Sequence, residues 1–112
     1  MFGESQRRKG VRTIPFSGNA YAFSQPTIDT VYEVGGVYGL FKYNPYTFKY
    51  ECLYVGLTDN LRRRLAEHFN NPPIAGATHF FAEAWSTAKQ RAQREAELIQ
   101  EFNPPGNKVG KL

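Results

Sequence analysis

Two β-rich runs joined by a polar turn constrain the fold of this chain more than any other feature. Residues 36–43 and 50–57 are rich in Val, Tyr, Leu and Phe, which favour strands. Residues 44–47 between them read Asn-Pro-Tyr-Thr, a composition typical of turns. The pattern predicts an antiparallel hairpin whose loop is longer than a tight two-residue turn.

A short amphipathic helix is predicted directly after the hairpin. The segment 58–60 holds three residues that favour a helix N-cap, and apolar residues then recur at every fourth position from Leu61 to Phe69. The Asn-Asn-Pro-Pro segment at 70–73 ends this helix.

A third strand and a second helix complete the pattern. Residues 77–85 are mostly aromatic and apolar, interrupted by His79 and Glu83, which predicts a strand. Thr87 and Gln90 have the spacing of a capping box for a helix that ends before the prolines at 104 and 105. The order β-β-α-β-α predicts an α+β fold, with a small three-stranded mixed or antiparallel sheet flanked by helices.

The length of 112 residues allows one domain. Residues 1–30 show no sustained period and predict a basic N-terminal extension or arm, so the folded domain and its basic C-terminal tail would occupy 31–112. No apolar run is long enough to cross a bilayer and no secretory signal is evident. The single cysteine, Cys52, excludes an intramolecular disulfide. We therefore expect a soluble cytoplasmic protein with no membrane partner, nucleoid-associated, or nuclear in a eukaryote.

The net charge of +4 arises from three basic segments, and it suggests an anionic partner. A phosphate backbone would suit these segments if they converge in the fold, although a solvated surface explains the charge equally well. The basic residues are Arg7, Arg8, Lys9 and Arg12 in the arm, Arg62, Arg63 and Arg64 in the first helix, and Lys108 and Lys111 in the tail.

One carboxylate interrupts the expected apolar face of the second helix. With Ala88 as origin at about 100° per residue, Ala92, Ile99 and Phe102 lie within about 40°, and Glu95 lies at about −20°. An unpaired charge facing the sheet is costly, so Glu95 should have a partner. An arginine in a buried ion pair, or a metal or catalytic role, would each explain it.

Two further pairs of residues carry side chains that are suited to binding or catalysis. Arg64 and His68 are four residues apart on one edge of the first helix, where a guanidinium can bind phosphate and an imidazole can move a proton. Tyr38 and Tyr54 lie in the hairpin strands beside glycines, which often mark the close approach of a ligand. Taken singly, the helix pair could be surface side chains and the tyrosines could be packing residues.

Taken together, these segments resemble the GIY-YIG nuclease family over residues 31–108. The first signature resembles Gly36-Val37-Tyr38, and the second resembles Tyr54-Val55-Gly56. The helix over 58–65 with His68, the segment 95–99 and the segment 103–107 are similar to the later motifs of the family.

The resemblance implies a metal-dependent DNA endonuclease that hydrolyses phosphodiester bonds with one divalent cation, Mg²⁺ or Mn²⁺. Glu95 would bind the metal, Tyr38 would be the general base with Tyr54 as second candidate, and Arg64 would stabilise charge on the phosphate. The implied catalytic residues are Tyr38, Tyr54, Arg64, His68, Glu95 and Asn107.

The implied partner is DNA, duplex or branched, with a protein scaffold or a homodimer as further possibilities. Phosphate contacts are expected from Arg7, Arg8, Lys9, Arg12, Arg62 and Lys108. The loop between Tyr38 and Tyr54 is longer than is usual in the family and could contact substrate. Leu57 stands where the excision-repair nucleases have a lysine, which argues against close kinship with that branch. The alternatives are a non-catalytic nucleic-acid-binding module and a nuclease subunit that is active only with a scaffold partner.

Overall fold

The computed structural model describes residues 16–108, which form one antiparallel sheet with helices on both faces. The strands are β1 (Tyr21–Ala22), β2 (Gly36–Asn44), β3 (Lys49–Thr58) and β4 (His79–Ala84). Their order across the sheet is β1-β4-β2-β3, so the β2–β3 hairpin places β3 at one edge. The helices are α1 (Gln25–Ile28), α2 (Leu61–Asn70) and α3 (Ala88–Phe102), followed by a 3₁₀ turn at Pro105–Asn107.

The hairpin and both predicted helices are confirmed. β2 and β3 pair from Gly36 opposite Thr58 to Asn44 opposite Lys49, with an irregularity after Leu40. The Asn60 side chain accepts a hydrogen bond from the backbone of α2. Thr87 and Gln90 form the predicted capping box of α3. These caps satisfy backbone N–H groups that have no partner within the helix, which is why both helices begin where the sequence indicates.

Two clusters of buried residues lie on opposite faces of the sheet. Leu98 of α3 packs with one cluster, and Leu61 and Leu65 of α2 pack with the other. Successive residues of β2 therefore point to different helices, because side chains alternate across a strand. The cluster against α3 contains Phe16, Val37, Phe41, Cys52, Val55 and Leu98, and the cluster against α2 contains Ile28, Tyr38, Leu40, Leu61, Leu65 and Phe80.

The sheet has four strands where the sequence predicted three. Tyr21 and Ala22 pair with Phe80 and His79 of β4 and form the additional edge strand β1. Residues 16–30 were expected within an arm, but Phe16 and Ile28 are buried on opposite faces of the sheet. Scattered apolar residues cover the sheet here without any sequence period, so periodicity could not reveal them.

Of the expected phosphate-contacting residues, Arg7, Arg8, Lys9 and Arg12 lie outside the described residues.

The inward face of α3 also differs from the expected one. Ala88 and Ala92 are exposed, while Leu98 is buried and Ile99 and Phe102 pack against its cluster. In the first half of α3, the Arg94 side chain points towards the sheet. There it forms an ion pair with a carboxylate of β4. The interior of this region is therefore polar and ionic, and the apolar stripe is confined to the second half of α3.

That carboxylate belongs to Glu83, whose ion pair with Arg94 is almost completely enclosed. The two side chains are 6% and 11% exposed. Arg94 donates from Nε to one carboxylate oxygen at 2.8 Å and from Nη2 to the other at 2.9 Å. The Trp85 indole and the Ser17 backbone N–H each donate at 2.9 Å. Burial favours the neutral form of Glu83, but the hydrogen bonds from Arg94, Ser17 and Trp85 outweigh it and hold its pKa below the usual range.

None of the helices within residues 16–108 is long and apolar enough to span a membrane.

Glu83→Gln should destabilise the fold by about 3 kcal/mol, because the enclosed Arg94 cation loses the charged carboxylate that it contacts through two nitrogens. Urea denaturation at neutral pH measures the change. Glu101→Gln is the matched control, since Glu101 is exposed on α3, the helix that carries Arg94, and it should change the free energy of unfolding by less than about 0.5 kcal/mol. Equal effects of the two substitutions would contradict this account of the ion pair.

Candidate active site

The buried Tyr38 hydroxyl is the point at which the candidate residues converge. It lies 2.7 Å from Nε2 of His68, so β2 and α2 are joined by one hydrogen bond. Glycines create the space for this contact. A Cβ at Gly56, on the neighbouring strand, would overlap the Tyr38 hydroxyl, and a Cβ at Gly36 would overlap the Glu83 carbonyl oxygen. Both signature glycines are thus positions of close approach.

Burial determines the protonation of this pair. Burial, reinforced by the Arg64 charge, lowers the pKa of His68 from 6.5 to about 4. Burial also raises the pKa of Tyr38 above its usual value, and the negative charges of Tyr54 and Glu95 add to it, while Arg64 opposes it. At neutral pH the phenol is therefore protonated and the imidazole neutral, so Nε2 can accept the phenol proton. Arg64 supplies a positive charge that lowers the Tyr38 pKa, but burial outweighs it.

Tyr54 lines the site beside this pair. Its ring centroid is 5.5 Å from that of His68 and 6.3 Å from that of Tyr38, so the three rings form one aromatic cluster. Tyr54 lies in the edge strand β3 and is less buried than Tyr38. It can therefore contact a molecule at the sheet edge, as the sequence predicts for a second tyrosine.

Arg64 brings positive charge to the solvent side of Tyr38. Its side chain is partly exposed, and its Nη1 donates to Oε1 of Glu67 at 2.9 Å. Arg64 also acts on Tyr38 by hydrogen bonding and by charge, which places the guanidinium beside the phenol. The contact with Glu67 is at the surface, so an anionic ligand can replace it at little cost.

Glu95 reaches the same site from α3, on the other side of the sheet. Its carboxylate is close enough to Tyr38 for its charge to raise the pKa of the phenol. The residue is partly exposed, rather than enclosed as the helical projection predicted. The enclosed carboxylate of this protein is Glu83, which the sequence showed only as a polar residue within an apolar strand.

Asn107 fixes the edge strand that carries Tyr54. Its Oδ1 accepts from the Val55 N–H at 2.8 Å, and its Nδ2 donates to the Val55 carbonyl at 2.7 Å. The amide thus replaces a neighbouring strand at the residue between Tyr54 and Gly56. The two hydrogen bonds to Val55 brace this strand, and the place of Asn107 among the catalytic residues implied by the family resemblance stays a prediction.

The remaining expected phosphate-contacting residues have different surroundings. Arg62 donates from Nε to the Val31 carbonyl at 2.7 Å and lies 3.3 Å from Glu33, so it joins α2 to the loop before β2. Its structural contacts leave it less available to DNA than the sequence suggested. Lys108 is exposed just after the 3₁₀ turn that carries Asn107.

A hydrated Mg²⁺ ion is compatible with the groups at this site. Among residues 16–108, no three His, Cys, Asp or Glu side chains are grouped so that they could hold a metal ion together. Glu95 supplies one partly exposed carboxylate beside the phenol of Tyr38. Mg²⁺ in proteins commonly binds one or two carboxylates and keeps several water ligands, so the Glu95 carboxylate alone is a suitable protein ligand for it. A zinc site made only of protein side chains would need more ligands.

An open depression adjoins the site on its α2 side and gives a ligand access to Arg64 and His68. Its lining is polar, apart from one proline. The lining residues are Arg64, Glu67, His68, Asn70, Asn71 and Pro73.

The chain belongs to the GIY-YIG family, because the family model of the GIY-YIG catalytic domain matches residues 35–109. The fold is similar to that of the GIY-YIG N-terminal endonuclease domain of UvrC from Thermotoga maritima. The magnesium-bound form of that domain is 23% identical, with a TM-score of 0.59 over 74% of this chain and 93% of that one. A point mutant bound to its catalytic divalent cation is 22% identical, with a TM-score of 0.59 over 73% and 91%. No curated protein sequence matches the chain.

The lowered pKa of His68 predicts a pH-dependent contribution to stability. Above pH 6.5 the imidazole is neutral in both states, whereas between about 6.5 and 4 the unfolded chain binds a proton that the folded chain does not. The free energy of unfolding of the wild type should therefore fall relative to His68→Gln as the pH decreases through this window. Urea denaturation at several pH values measures the difference. A difference that stays constant from pH 7 to 4 would contradict it.

Proposed function

We propose that this chain is a divalent-metal-dependent endonuclease that hydrolyses phosphodiester bonds of DNA. The observation that carries the proposal is the Tyr38 hydroxyl, which lies 2.7 Å from an imidazole and has a cation and a carboxylate acting on it. A packing tyrosine needs none of these neighbours. Membership of the GIY-YIG family, whose domain is a nuclease domain, supports this class of reaction.

Tyr38 acts as general base by passing a proton, rather than as a phenolate formed in advance. As the oxygen of a water molecule attacks phosphorus, one water proton moves to the Tyr38 oxygen, and the phenol proton moves to Nε2 of His68. The 2.7 Å hydrogen bond provides the path for the second transfer. A bound phosphodiester brings negative charge, which favours the protonated imidazole and makes His68 a better acceptor than it is in the free protein.

Arg64 binds the phosphate. Its guanidinium exchanges the exposed Glu67 carboxylate for non-bridging phosphate oxygens and stabilises the charge that grows on them in the transition state. Tyr54 forms the wall against which the scissile nucleotide lies and is the second candidate base. Asn107 keeps that wall in place through its two hydrogen bonds to Val55.

Glu95 is the residue that would hold Mg²⁺ or Mn²⁺, since its carboxylate is partly exposed and its charge acts on Tyr38. When bound there, the cation would polarise the phosphate and stabilise the leaving oxygen. Duplex or branched DNA is the proposed substrate, and Lys108 adds a phosphate contact near the site. Because one small site cuts one strand, cleavage of both strands requires two events, a homodimer or a scaffold protein.

Removing the proposed phosphate and metal ligands should abolish nicking without unfolding the chain. Arg64→Ala and Glu95→Gln should each lower the rate at least about 100-fold, since each removes stabilisation of transition-state charge. Arg63→Ala and Glu101→Gln are the matched controls on the same helices and should stay within a few-fold of wild type. The assay uses supercoiled plasmid and labelled duplex, single-stranded, flap and junction oligonucleotides, with Mg²⁺, Mn²⁺ or EDTA.

The pattern of results separates this proposal from the alternatives. Cleavage in EDTA, or full activity of either site variant, would contradict the proposed function. Salt-sensitive binding without cleavage under any condition would assign the chain as a binding module. Cleavage that arises only when a second protein is added would identify a scaffold-dependent subunit.

A further inference from the structure

The hairpin that supplies Tyr38 and Tyr54 ends in two exposed aromatic side chains at its loop. Tyr46 is 93% exposed and Phe48 is 77% exposed. We call residues 44–49 the aromatic tip. Rings so exposed contribute little to the core, and each leaves apolar surface in water in the free protein.

The backbone of the tip shows that folding alone does not favour an aromatic residue at position 48. Phe48 has a φ of 59°, in the left-handed region that glycine and asparagine adopt most easily. Asn44 closes the loop, because its carbonyl accepts from the Phe48 N–H at 2.8 Å and its Oδ1 accepts from the Tyr46 N–H at 2.9 Å. A glycine at 48 would form the same turn with less strain, so the ring of Phe48 has a role outside the fold.

The tip is fixed to the sheet by contacts between aromatic rings at its base. Tyr43 of β2 and Tyr50 of β3 have ring centroids 4.8 Å apart, and His79 of β4 lies 5.9 Å from the first and 5.3 Å from the second. Tyr46 and Phe48 therefore project from a braced hairpin. Rings that are held in place before binding lose less entropy when they contact a ligand.

The charge at the tip is positive. Lys49 is exposed, and no aspartate or glutamate occurs within residues 44–49. Lys42, further along β2, lies opposite Glu51 of β3. The exposed apolar residues of the tip are aromatic, with no leucine, isoleucine or valine among them. Aromatic rings beside lysines are the combination that binds single-stranded nucleic acid, where rings stack on bases and cations contact phosphates.

The position of the tip relative to the catalytic site is set by β3. Tyr54 lies six positions after Phe48, which corresponds to at most about 20 Å along a strand. Stacked nucleotides advance by about 3.4 Å, so this distance matches about six nucleotides. A DNA strand bound at Tyr54 can thus reach the tip.

We propose that the aromatic tip stacks on unpaired bases of DNA, about six nucleotides from the phosphate at the catalytic site, and so selects DNA with single-stranded segments. Paired bases inside a duplex do not offer their faces to Tyr46 and Phe48, whereas the bases of a flap, a fork or a single strand do. The choice of DNA rests on the proposed function, and the stacking itself is tested by binding alone.

The test compares the affinities of full-length variants for a labelled single-stranded DNA and for the same strand in a perfect duplex, by fluorescence anisotropy in EDTA. Replacing Tyr46 and Phe48 together by leucine keeps the apolar bulk and removes the rings. This variant should lose at least about 10-fold in affinity for the single strand and less than about 2-fold for the duplex. The exchange Tyr46→Phe with Phe48→Tyr keeps both rings and should retain the wild-type preference.

Tyr32→Leu is the control for a general effect of exposed rings, because Tyr32 is 78% exposed outside the hairpin, and it should leave both affinities unchanged. An equal loss on both DNAs, an unchanged double variant, or a wild type that does not bind single strands would each overturn the proposal. So would self-association of the wild type that the leucine variant abolishes, since the tip would then contact another protein. A selective loss in a chain that never cleaves would uphold the stacking and reject only the nuclease function.

Discussion

The enclosed ion pair of Glu83 and Arg94 is the contact on which the arrangement of this domain depends. Four N–H donors meet at one carboxylate, from Ser17, from Trp85 directly after β4 and from Arg94 of α3. Because Arg94 is fixed to β4, the rotation of α3 about its axis is fixed as well. The neighbouring residue, Glu95, is held with it, and the Glu95 charge acts on the Tyr38 phenol.

The candidate site depends on this arrangement and on the glycine at position 56. The lack of a Cβ at Gly56 lets the phenol of Tyr38 extend to His68 over the adjacent strand. α2 then supplies Arg64 and α3 supplies Glu95, so groups from both faces of the sheet act on one hydroxyl. Burial keeps the phenol protonated and the imidazole neutral, which is the state from which the proposed proton transfer to His68 begins.

The parts of the fold that were predictable from the sequence depend on local signals. The hairpin, the Asn60 cap and the capping box of Thr87 and Gln90 are each encoded within a few residues. The order of the signature segments was sufficient to identify the family, which the match over residues 35–109 confirms. The convergence of Tyr38 and His68 was foreseeable only through that resemblance, since 30 residues separate them in the chain.

What the sequence did not reveal depends on contacts between distant residues. Phe16 and Ile28 are isolated apolar residues whose burial requires a sheet that forms elsewhere in the chain. The partner of Glu83 is on another element, so the helical projection placed Ala88 and Ala92 inside and missed Arg94. The pKa of Tyr38 could not be anticipated either, because burial, which no local pattern reports, dominates it.

The most direct measurement is the single-turnover cleavage rate of Tyr38→Phe beside that of Tyr54→Phe, with DNA affinity determined for both. Each substitution removes one hydroxyl and keeps the ring that packs in the site. If Tyr38 transfers the proton of the attacking water, Tyr38→Phe loses about 100-fold or more in rate with its affinity intact, and Tyr54→Phe loses much less. Cleavage by Tyr38→Phe at the wild-type rate would contradict the account.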